Sequence, residues 1–499
     1  AGDLFQGTLE SNLNEGAAVV SAYNALGYSA SAVGNHEFDY GPAGPLTAPQ
    51  GPGDDPRGAL KARAAEARFP FLGANIIDTA TARPVEWPNL RPSTIITVAG
   101  VRVGVVGLAT RETLTATLAA NSVGLSIAPL AVTLTREAQA LRAGGATIVV
   151  AVAHAGGRCD AFDNPEDLSS CAADEEILEV ARALPRGLVD VIVAGHRHFA
   201  IAQNVAGTAI ISAFSRGRAF GRVDLTVDRA SGRIERKRIF PPREVCAMFA
   251  ANADTCVEAS AQTASPAIYE GQPVVASAAI DAILAPAVAQ ADAVRNRPLN
   301  ATVDARLERS GDTESALGNL LADWTLAVTP KADLAIINGG GLRADLPIGL
   351  VTYGRLFEVT PFDNRLSVVV LKGADLRRMI AGNLQRRGSI MLVSGVKATA
   401  ECAGGELNLA IRRDSGRPVT DAETLRVATM DFLVTGGDDI FTPAHPIAVS
   451  GVEDGAVLRD EIATWLTHAG RQWRANDLFT PTNRRIEYPG TRPVTCAAP

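Results

Sequence analysis

The 499-residue sequence has little lysine and no apolar segment long enough to cross a membrane. Only five of its 47 basic residues are Lys, and 54 acidic residues leave a formal net charge of −7. This charge argues against a protein that coats nucleic acid, although a local basic pocket for a small anion is compatible with it. The most apolar stretch, from Val274 to Val294, is interrupted by Asp281, Pro286 and Asp292. We therefore expect no inserted transmembrane segment.

Cysteine is also scarce, and no pair has the C-x-x-C spacing of a zinc knuckle or a redox motif. The six cysteines lie as two local pairs and one remaining distant pair: Cys159 with Cys171, Cys246 with Cys256, and Cys402 with Cys496. The even count favours disulfides in an oxidising, extracytoplasmic compartment, and the alternative is buried free thiols in a cytosolic enzyme. No secretory leader is recognisable at Ala1, so we expect a leader to have been removed or left out of the sequence.

The length favours two or three domains, each able to bury its own core. Residues 1–240 alternate apolar, strand-like runs with helical patterns, which predicts layered α/β packing. The pattern weakens around residues 228–273. Residues 241–297 are predicted to form a linker, in which an Ala-rich helix at 275–294 is a natural connector. A second α/β unit is predicted over residues 298–499.

A polar cluster follows the short apolar segment 29–33. It contains Asn35, His36, Glu37 and Asp39, within the stretch Gly34-Asn-His-Glu-Phe-Asp-Tyr-Gly41. In open α/β sheets, ligands bind at the edge where the strands end. An amide, an imidazole and two carboxylates at such an edge indicate metal-assisted attack on a phosphate ester, whereas the stretch taken alone is also compatible with an ordinary loop.

Four of the six histidines follow strand-like runs. They are His36, His154 after the run 146–153, and His196 and His198 after the run 189–195. A single histidine in such a place is more often a hydrogen-bonded loop residue. Four of them at the rim of one sheet favour a divalent-metal site, because neutral imidazole is a common ligand for transition metals.

Two sets of motifs resemble the calcineurin-like metallophosphoesterases, and more narrowly the secreted bacterial 5′-nucleotidases. In the first half these are residues 1–8 (AGDLFQGT), 34–37 (GNHE), 153–156 (AHAG) and 195–198 (GHRH). In the second half they are residues 338–343 (NGGGLR), 361–364 (PFDN) and 432–438 (FLVTGGD). The resemblance implies an αββα metallophosphoesterase domain joined by the helical connector to an α/β substrate-binding domain. It also implies that a metal-bound hydroxide hydrolyses nucleoside 5′-phosphates by in-line attack.

The resemblance further implies two divalent ions, for which Zn, Mn, Fe and Co are not distinguished. Asp3 matches the bridging carboxylate of the family. Asn35, His154 and His196 match the other ligands of the second ion, and His198 matches a ligand of the first. His36, oriented by Asp39, matches the catalytic histidine. The family's Asp-x-His motif and its strand precede the position of Ala1, so we expect either a piece of a longer protein or a degenerate member that binds one ion weakly.

The second motif set implies a nucleotide site. By resemblance, two aromatic side chains sandwich the base, arginines meet phosphate, and an amide and a carboxylate contact base and ribose; these residues are Phe362, Phe432, Arg343, Arg309, Asn338 and Asp438. From the residues alone, both phenylalanines are more often core. Because the two sites fall on different domains, catalysis is expected to need domain closure about the connector.

The expected partner is a small nucleotide rather than nucleic acid or a membrane, and the oligomeric state is left open. One alternative is a nucleotide-sugar pyrophosphatase or a 2′,3′-cyclic nucleotide phosphodiesterase. Another is a nucleotide-binding protein that has lost hydrolysis, which the missing Asp-x-His motif would favour. Nucleotide affinity without phosphate release would distinguish it from an enzyme.

Overall fold

The computed structural model describes residues 1–250, 255–257, 261, 264–450 and 455–496. Its first half is built around a mixed six-stranded sheet. In spatial order the strands are Ala200–Val205, Thr208–Ala213, Val191–Ala194, Ile148–His154, Val101–Ala109 and Ser93–Val98. The four central strands are nearly continuous apolar runs, as expected for a sheet that is covered on both faces.

Two three-stranded sheets accompany the six-stranded sheet. One has the order Ser31–Ala32, Phe71–Leu72 and Leu90–Arg91, and another the order Arg83–Pro84, Ile76–Asp78 and Leu125–Ile127. The first packs closely on the six-stranded sheet at Gly107, where a Cβ atom would lie 2.2 Å from the Leu72 Cβ. Only a residue without a side chain permits this approach.

Helices cover the two outer faces. Their bounds are Leu9–Asn12, Ala17–Leu26, Gly58–Glu66, Ala119–Ser122, Leu130–Ala143 and Glu176–Ala183. Leu134 and Ala138 of the helix Leu130–Ala143 are buried with Val106 and Val149 of the large sheet. On the other side, Leu60 joins a separate core with Phe71. The helix–sheet–sheet–helix layering confirms the α/β fold class expected from the sequence.

A long hairpin of strands Ala219–Val227 and Ile234–Glu244 follows. Its second strand continues past residue 240, where the sequence places a domain boundary. The division into 1–240, 241–297 and 298–499 stays a prediction. Short strands Met248–Ala250 with Ala264–Pro266, and Ile268–Tyr269 with Gln272–Pro273, lead into the connector helix, Ala278–Arg295.

The connector helix packs against both halves of the chain. Its Ala291 is buried with Leu9 of the first half and Phe357 of the second half. Polar contacts reinforce this packing, since Asn14 Nδ2 donates to Gln290 Oε1 at 2.8 Å and Arg295 pairs with Glu10. The helix therefore lies at the junction of the two halves.

The second half contains a five-stranded sheet and two three-stranded sheets. The five-stranded order is Met391–Ser394, Leu334–Asn338, Thr424–Met430, Leu366–Lys372 and Ala448–Ser450. One three-stranded sheet has the order Gly349–Thr352, Pro298–Val303 and Arg471–Trp473. The other has the order Glu406–Arg413, Val396–Ala403 and Ile486–Glu487. The helices are Ala316–Ala327, Tyr353–Val359, Gly373–Leu384, Asp431–Val434, Leu458–Ala469 and Ala475–Leu478.

One strand ends earlier than the sequence predicts. The apolar run 424–432 indicates a strand through Phe432, but the strand stops at Met430 and a short helix begins at Asp431. The Asp431 carboxylate accepts the N–H groups of Arg365 and Phe432, at 2.9 and 2.8 Å. These bonds turn the chain and place Phe432 on a helix.

The cysteines form disulfides, as expected, and the structure gives their pairing as Cys159–Cys171, Cys246–Cys256 and Cys402–Cys496. The first closes the loop that follows His154. Within the described part of the chain, every helix falls short of the length and apolarity needed to cross a bilayer.

Candidate active site

A cavity of about 840 Å³ lies between the two halves of the chain. It opens where the strands Ile148–His154 and Val191–Ala194 end. Twelve of the thirteen site residues expected from the sequence line it: Asp3, Asn35, His36, Asp39, His196, His198, Arg309, Asn338, Arg343, Phe362, Phe432 and Asp438. The thirteenth, His154, is buried and contacts Asp3 and Asn35. The fold therefore brings both motif sets to one place.

Three of the expected metal ligands converge on the Nε2 atom of a fourth, His154. Asp3 Oδ2 lies 2.9 Å from it, Asn35 Oδ1 3.1 Å and His196 Nδ1 3.2 Å. His154 Nδ1 faces the carbonyl of Ala1 at 2.8 Å, so in the neutral ring Nδ1 carries the proton and Nε2 has a lone pair. Lone pairs then face one another across the cluster, and a bound cation relieves their repulsion.

These donors fit a divalent transition metal, since they are one carboxylate, one amide oxygen and two imidazoles. The ligand atoms of Asp3, His154 and His196 all lie within 4.8 Å of one another. His198 lines the cavity but stands outside this three-residue cluster. Burial and the charge of Arg343 lower the pKa of His198 to about 3, so its ring is neutral and able to accept a cation.

The backbone is strained at this cluster. Asp3, His196 and His198 have φ values of 50°, 74° and 59°, in the left-handed region that side chains other than glycine seldom adopt. Such conformations cost on the order of 1–3 kcal/mol each and concentrate at functional sites. Three of the expected metal ligands therefore have strained backbone conformations.

Glu37 fixes the strained segment around Asp3. Its carboxylate accepts the backbone N–H groups of Asp3, Leu4 and Gly34 at 3.0, 2.6 and 2.6 Å. Burial and the charge of Asp3 raise the pKa of Glu37 to about 7. Burial also acts to raise the pKa of Asp3, but protonated rings of His154 and His36 beside it, together with their hydrogen bonds, outweigh burial and hold that pKa well below its usual range.

Glu112 orients one candidate ligand. Its carboxylate accepts from His196 Nε2 at 3.2 Å, which leaves His196 Nδ1 facing the cluster. This hydrogen bond, aided by the charge of Arg197 against the effect of burial, lowers the pKa of Glu112 to about 2. Carboxylates in this arrangement set the tautomer and the ring orientation of metal-binding histidines.

A second hydrogen-bond network orients His36. Its Nδ1 donates to Asp39 Oδ2 at 2.6 Å, while Gln6 and Thr117 donate to the same carboxylate at 3.0 and 2.9 Å. Burial opposes a charged ring, but the Asp39 and Asp3 carboxylates outweigh it and raise the pKa of His36. Nε2 of His36 is left to face the cavity, 4.0 Å from Asp3 Oδ2.

The second half of the chain meets His36 directly. Arg343 Nη2 donates to His36 Nε2 at 2.9 Å, and the Phe362 ring stacks on the imidazole at 5.4 Å and 26°. The Arg343 backbone carbonyl accepts from the guanidinium of Arg216, in the first half. A catalytic candidate and a phosphate-binding candidate thus reach the same point from opposite walls.

The nucleoside candidates lie along the second wall. Asn338 Nδ2 donates to Asp438 Oδ2 at 2.7 Å, and Asn338 Oδ1 is buried without a hydrogen-bond partner among the described residues. Asp438 has φ 50°, and burial raises its pKa. Phe432 and Arg309 border the same part of the cavity.

Sequence reasoning missed several residues of the site. Glu37 belongs to a recognised motif, yet its bonds to backbone N–H groups have no sequence signature. Gln6 lies within the motif of residues 1–8, whereas Glu112 and Thr117 come from segments that carry no motif. Only the folded chain brings Glu112 to His196, and Gln6 and Thr117 to Asp39.

The chain resembles known nucleotide phosphoesterases. Residues 288–444 match the family model of the 5′-nucleotidase C-terminal domain. The chain is 27% identical to Endonuclease YhcR of Bacillus subtilis over 91% of its own length, and it spans 34% of that protein. It is 26% identical to Protein UshA of Yersinia enterocolitica over 88% of its length, and it spans 77% of UshA.

Among solved structures, a 5′-nucleotidase precursor from Thermus thermophilus superposes with a TM-score of 0.70. The superposition covers 95% of this chain and 89% of the other, at 23% identity, and shows a shared fold. Together these findings confirm the resemblance drawn from the motifs, the fold class and the assignment to an enzyme class.

Proposed function

We propose that this chain, which carries a 5′-nucleotidase C-terminal domain at residues 288–444, hydrolyses nucleoside 5′-phosphates to nucleoside and phosphate with divalent cations. The observation that carries the proposal is the contact between His36 and Arg343, at 2.9 Å. Both are groups that bind phosphate oxygens, and they meet 4.0 Å from the carboxylate of Asp3. A phosphoryl group beside them lies within reach of the candidate metal ligands.

Asp3, Asn35, His154 and His196 are assigned to one divalent ion, and Asp3 with His198 to a second. Such ions, when bound, polarise the phosphate ester and lower the pKa of water. The donor set is supported by the crowding of lone pairs around His154 Nε2. It accepts Zn, Mn, Fe or Co, so the metal is not specified by the residues.

His36 supports the reaction as a proton and charge donor. Asp39 holds the Nδ1 proton, so Nε2 is directed at the phosphoryl group and the departing ribose oxygen. In the structure His36 Nε2 accepts from Arg343. Once phosphate replaces this bond, the raised pKa favours the protonated ring, which stabilises negative charge that develops on those oxygens. Arg343 neutralises the phosphate from the opposite wall.

The nucleoside occupies the remainder of the cavity. Phe362 and Phe432 supply aromatic faces for the base, Asn338 and Asp438 supply polar groups for base and ribose, and Arg309 adds a cation near phosphate. A volume of about 840 Å³ is within the range of small-molecule sites. The three disulfides support an extracytoplasmic location for this chemistry.

The test is phosphate release from AMP by the purified chain, with added Mn²⁺ or Zn²⁺ and with EDTA. We expect release that needs the cation and that falls about 10²–10⁴-fold in His36→Asn. The matched control is His468→Asn, since His468 is exposed on the helix Leu458–Ala469 and should leave the rate unchanged.

Other outcomes contradict the proposal in distinct ways. Hydrolysis of a nucleotide sugar or a 2′,3′-cyclic nucleotide, but not of AMP, would show that the proposed substrate is wrong and that the chain is still a phosphoesterase. Binding of AMP without phosphate release, at saturating metal, would show that the chain is a nucleotide-binding protein rather than an enzyme.

A further inference from the structure

The guanidinium of Arg492 lies against a loop that borders the nucleoside side of the cavity. This loop, residues 385–390, joins the helix Gly373–Leu384 to the strand Met391–Ser394. Arg492 donates to five backbone carbonyls, which are Asn383 at 2.7 Å, Asp312 at 2.8 Å, Arg386 at 3.3 Å, Gly388 at 3.4 Å and Ser389 at 3.5 Å. One side chain therefore joins the loop to the facing segment around Asp312, and both line the cavity.

The loop held by Arg492 contacts the nucleoside candidates. The Ser389 hydroxyl accepts from the backbone N–H of Gly340 at 2.7 Å and also hydrogen-bonds the Asp438 carboxylate. The Arg386 guanidinium donates to the Asp438 carbonyl at 2.6 Å. Asp438 in turn accepts from Asn338. A displacement of the loop would therefore move the groups that face the base and ribose.

We infer that Arg492 is a positioning residue that sets the nucleoside-binding wall of the cavity through the loop 385–390. The guanidinium is suited to this role because its five N–H groups form a rigid fork, which a lysine ammonium cannot reproduce. The backbone of the loop itself lies outside helices and strands and contains Gly388 at φ 100°. Its geometry thus depends on contacts from outside the loop.

The segment that follows Arg492 is anchored to the domain. The N–H of Val494 donates to the Leu384 carbonyl at 2.8 Å, and the Val494 side chain is buried. Two residues later, Cys496 is joined to Cys402 of the strand Val396–Ala403. The disulfide therefore holds the segment that carries Arg492 against the domain, and the double variant Cys402→Ser/Cys496→Ser should weaken the same wall.

The first experiment needs no ligand. Amide hydrogen exchange is compared among the wild type, Arg492→Ala, Arg492→Lys and the matched control Arg484→Ala, whose guanidinium lies over the Tyr488 ring. Ile390 N–H donates to the Gly311 carbonyl and Met391 N–H to Asn383 Oδ1, both at 2.9 Å, so these amides report on the loop. We expect them to exchange about tenfold faster in Arg492→Ala. Amides of the strand Leu334–Asn338 should stay protected.

The second experiment rests on the proposed function. We expect KM for AMP to rise about tenfold in Arg492→Ala, with little change in kcat and no change in KM for a phosphate ester without a nucleoside. Arg492→Lys should restore little of this loss, because charge alone does not replace the fork. Arg484→Ala should match the wild type in every measurement.

The outcomes separate this inference from the proposed function. Wild-type exchange at Ile390 and Met391 in Arg492→Ala overturns the inference whether or not the chain hydrolyses AMP. Faster exchange throughout the domain, with equal losses for both substrates, also overturns it, since Arg492 would then support general stability. If exchange in Arg492→Ala is faster only in the loop, and the wild type does not hydrolyse AMP, the loop contact is supported and the proposed substrate is rejected.

Discussion

Glu112 provides a direct test of the candidate metal site. Its carboxylate accepts from His196 Nε2 at 3.2 Å, and so directs His196 Nδ1 toward the Nε2 atom of His154. Without this partner, the His196 ring is free to rotate and to move its proton to Nδ1. We expect Glu112→Ala to weaken cation binding although every candidate ligand residue is still present.

The size of the effect follows from the exposure of the carboxylate. Removing the hydrogen-bond partner of a metal-binding histidine typically costs 10–100-fold in affinity, roughly. The Glu112 side chain is 44% exposed, so water can replace part of its hydrogen bond. We therefore expect about a tenfold loss in Glu112→Ala, at the lower end of that range. Glu112→Gln keeps an acceptor oxygen and should lose less.

The assay is competition for Zn²⁺ or Mn²⁺ with a chromogenic chelator, together with the visible spectrum of the Co²⁺-loaded chain. The spectrum reports the ligand geometry, which a general loss of stability would not alter selectively. Glu179→Ala is the matched control, since Glu179 pairs with Arg111 and is similarly exposed. Wild-type affinity and an unchanged Co²⁺ spectrum in Glu112→Ala would refute the reasoning, because His196 would then not be a ligand that Glu112 orients.

Three further predictions test other parts of the structure. Burial raises the pKa of Asp431 to about 6. The protonated carboxyl group therefore stabilises the folded state fully below the ordinary pKa of 3.8, and this stabilisation is lost as the pH rises through 6. The free energy of unfolding of Asp431→Asn relative to the wild type should thus increase by up to about 3 kcal/mol between pH 4 and pH 7 in urea titrations, and a flat difference would contradict the assignment. Arg343→Lys should raise the inhibition constant of inorganic phosphate about tenfold, since lysine lacks the bidentate fork, and equal inhibition would remove Arg343 from the phosphate site. Thr117→Val removes one donor to Asp39 and should lower kcat several-fold, about 1 kcal/mol, whereas an unchanged kcat would show that Gln6 alone holds that carboxylate.

Local signals in the sequence predict much of the fold. The sequence from Leu130 to Ala143 has a helical pattern, and the structure has a helix with these bounds. The strand that ends at His154 follows the apolar run 146–153. By contrast, the strand Ile234–Glu244 lies in a region where the pattern weakens. It belongs to a two-stranded ribbon with much of its surface in solvent, so its charged residues give no regular alternation of apolar and polar positions.

The residues of the candidate site also fall into two groups, those that the sequence pattern indicates and those that it does not. Residues in strand-end motifs, such as His154 and Arg343, are found in the cavity or against it because the ends of strands meet at one edge of a sheet. Residues that act on those side chains come from elsewhere in the chain. Glu112 is 84 positions from His196, and Arg492 lies more than a hundred positions from the loop it holds. Their roles depend on tertiary contact, which the sequence pattern does not record.

The contact between His36 and Arg343 also constrains how substrate enters. At 2.9 Å the two nitrogen atoms bond each other, and no phosphate oxygen fits between them. For His36 Nε2 to bind a phosphate oxygen, which lies about 2.7–2.9 Å from its donor, this bond must break. The walls belong to different halves of the chain, joined at the helix Ala278–Arg295, whose Ala291 packs between Leu9 and Phe357. We expect phosphate to replace the bond between His36 and Arg343, either by rotation of the Arg343 side chain or by a shift of one half against the other at this helix.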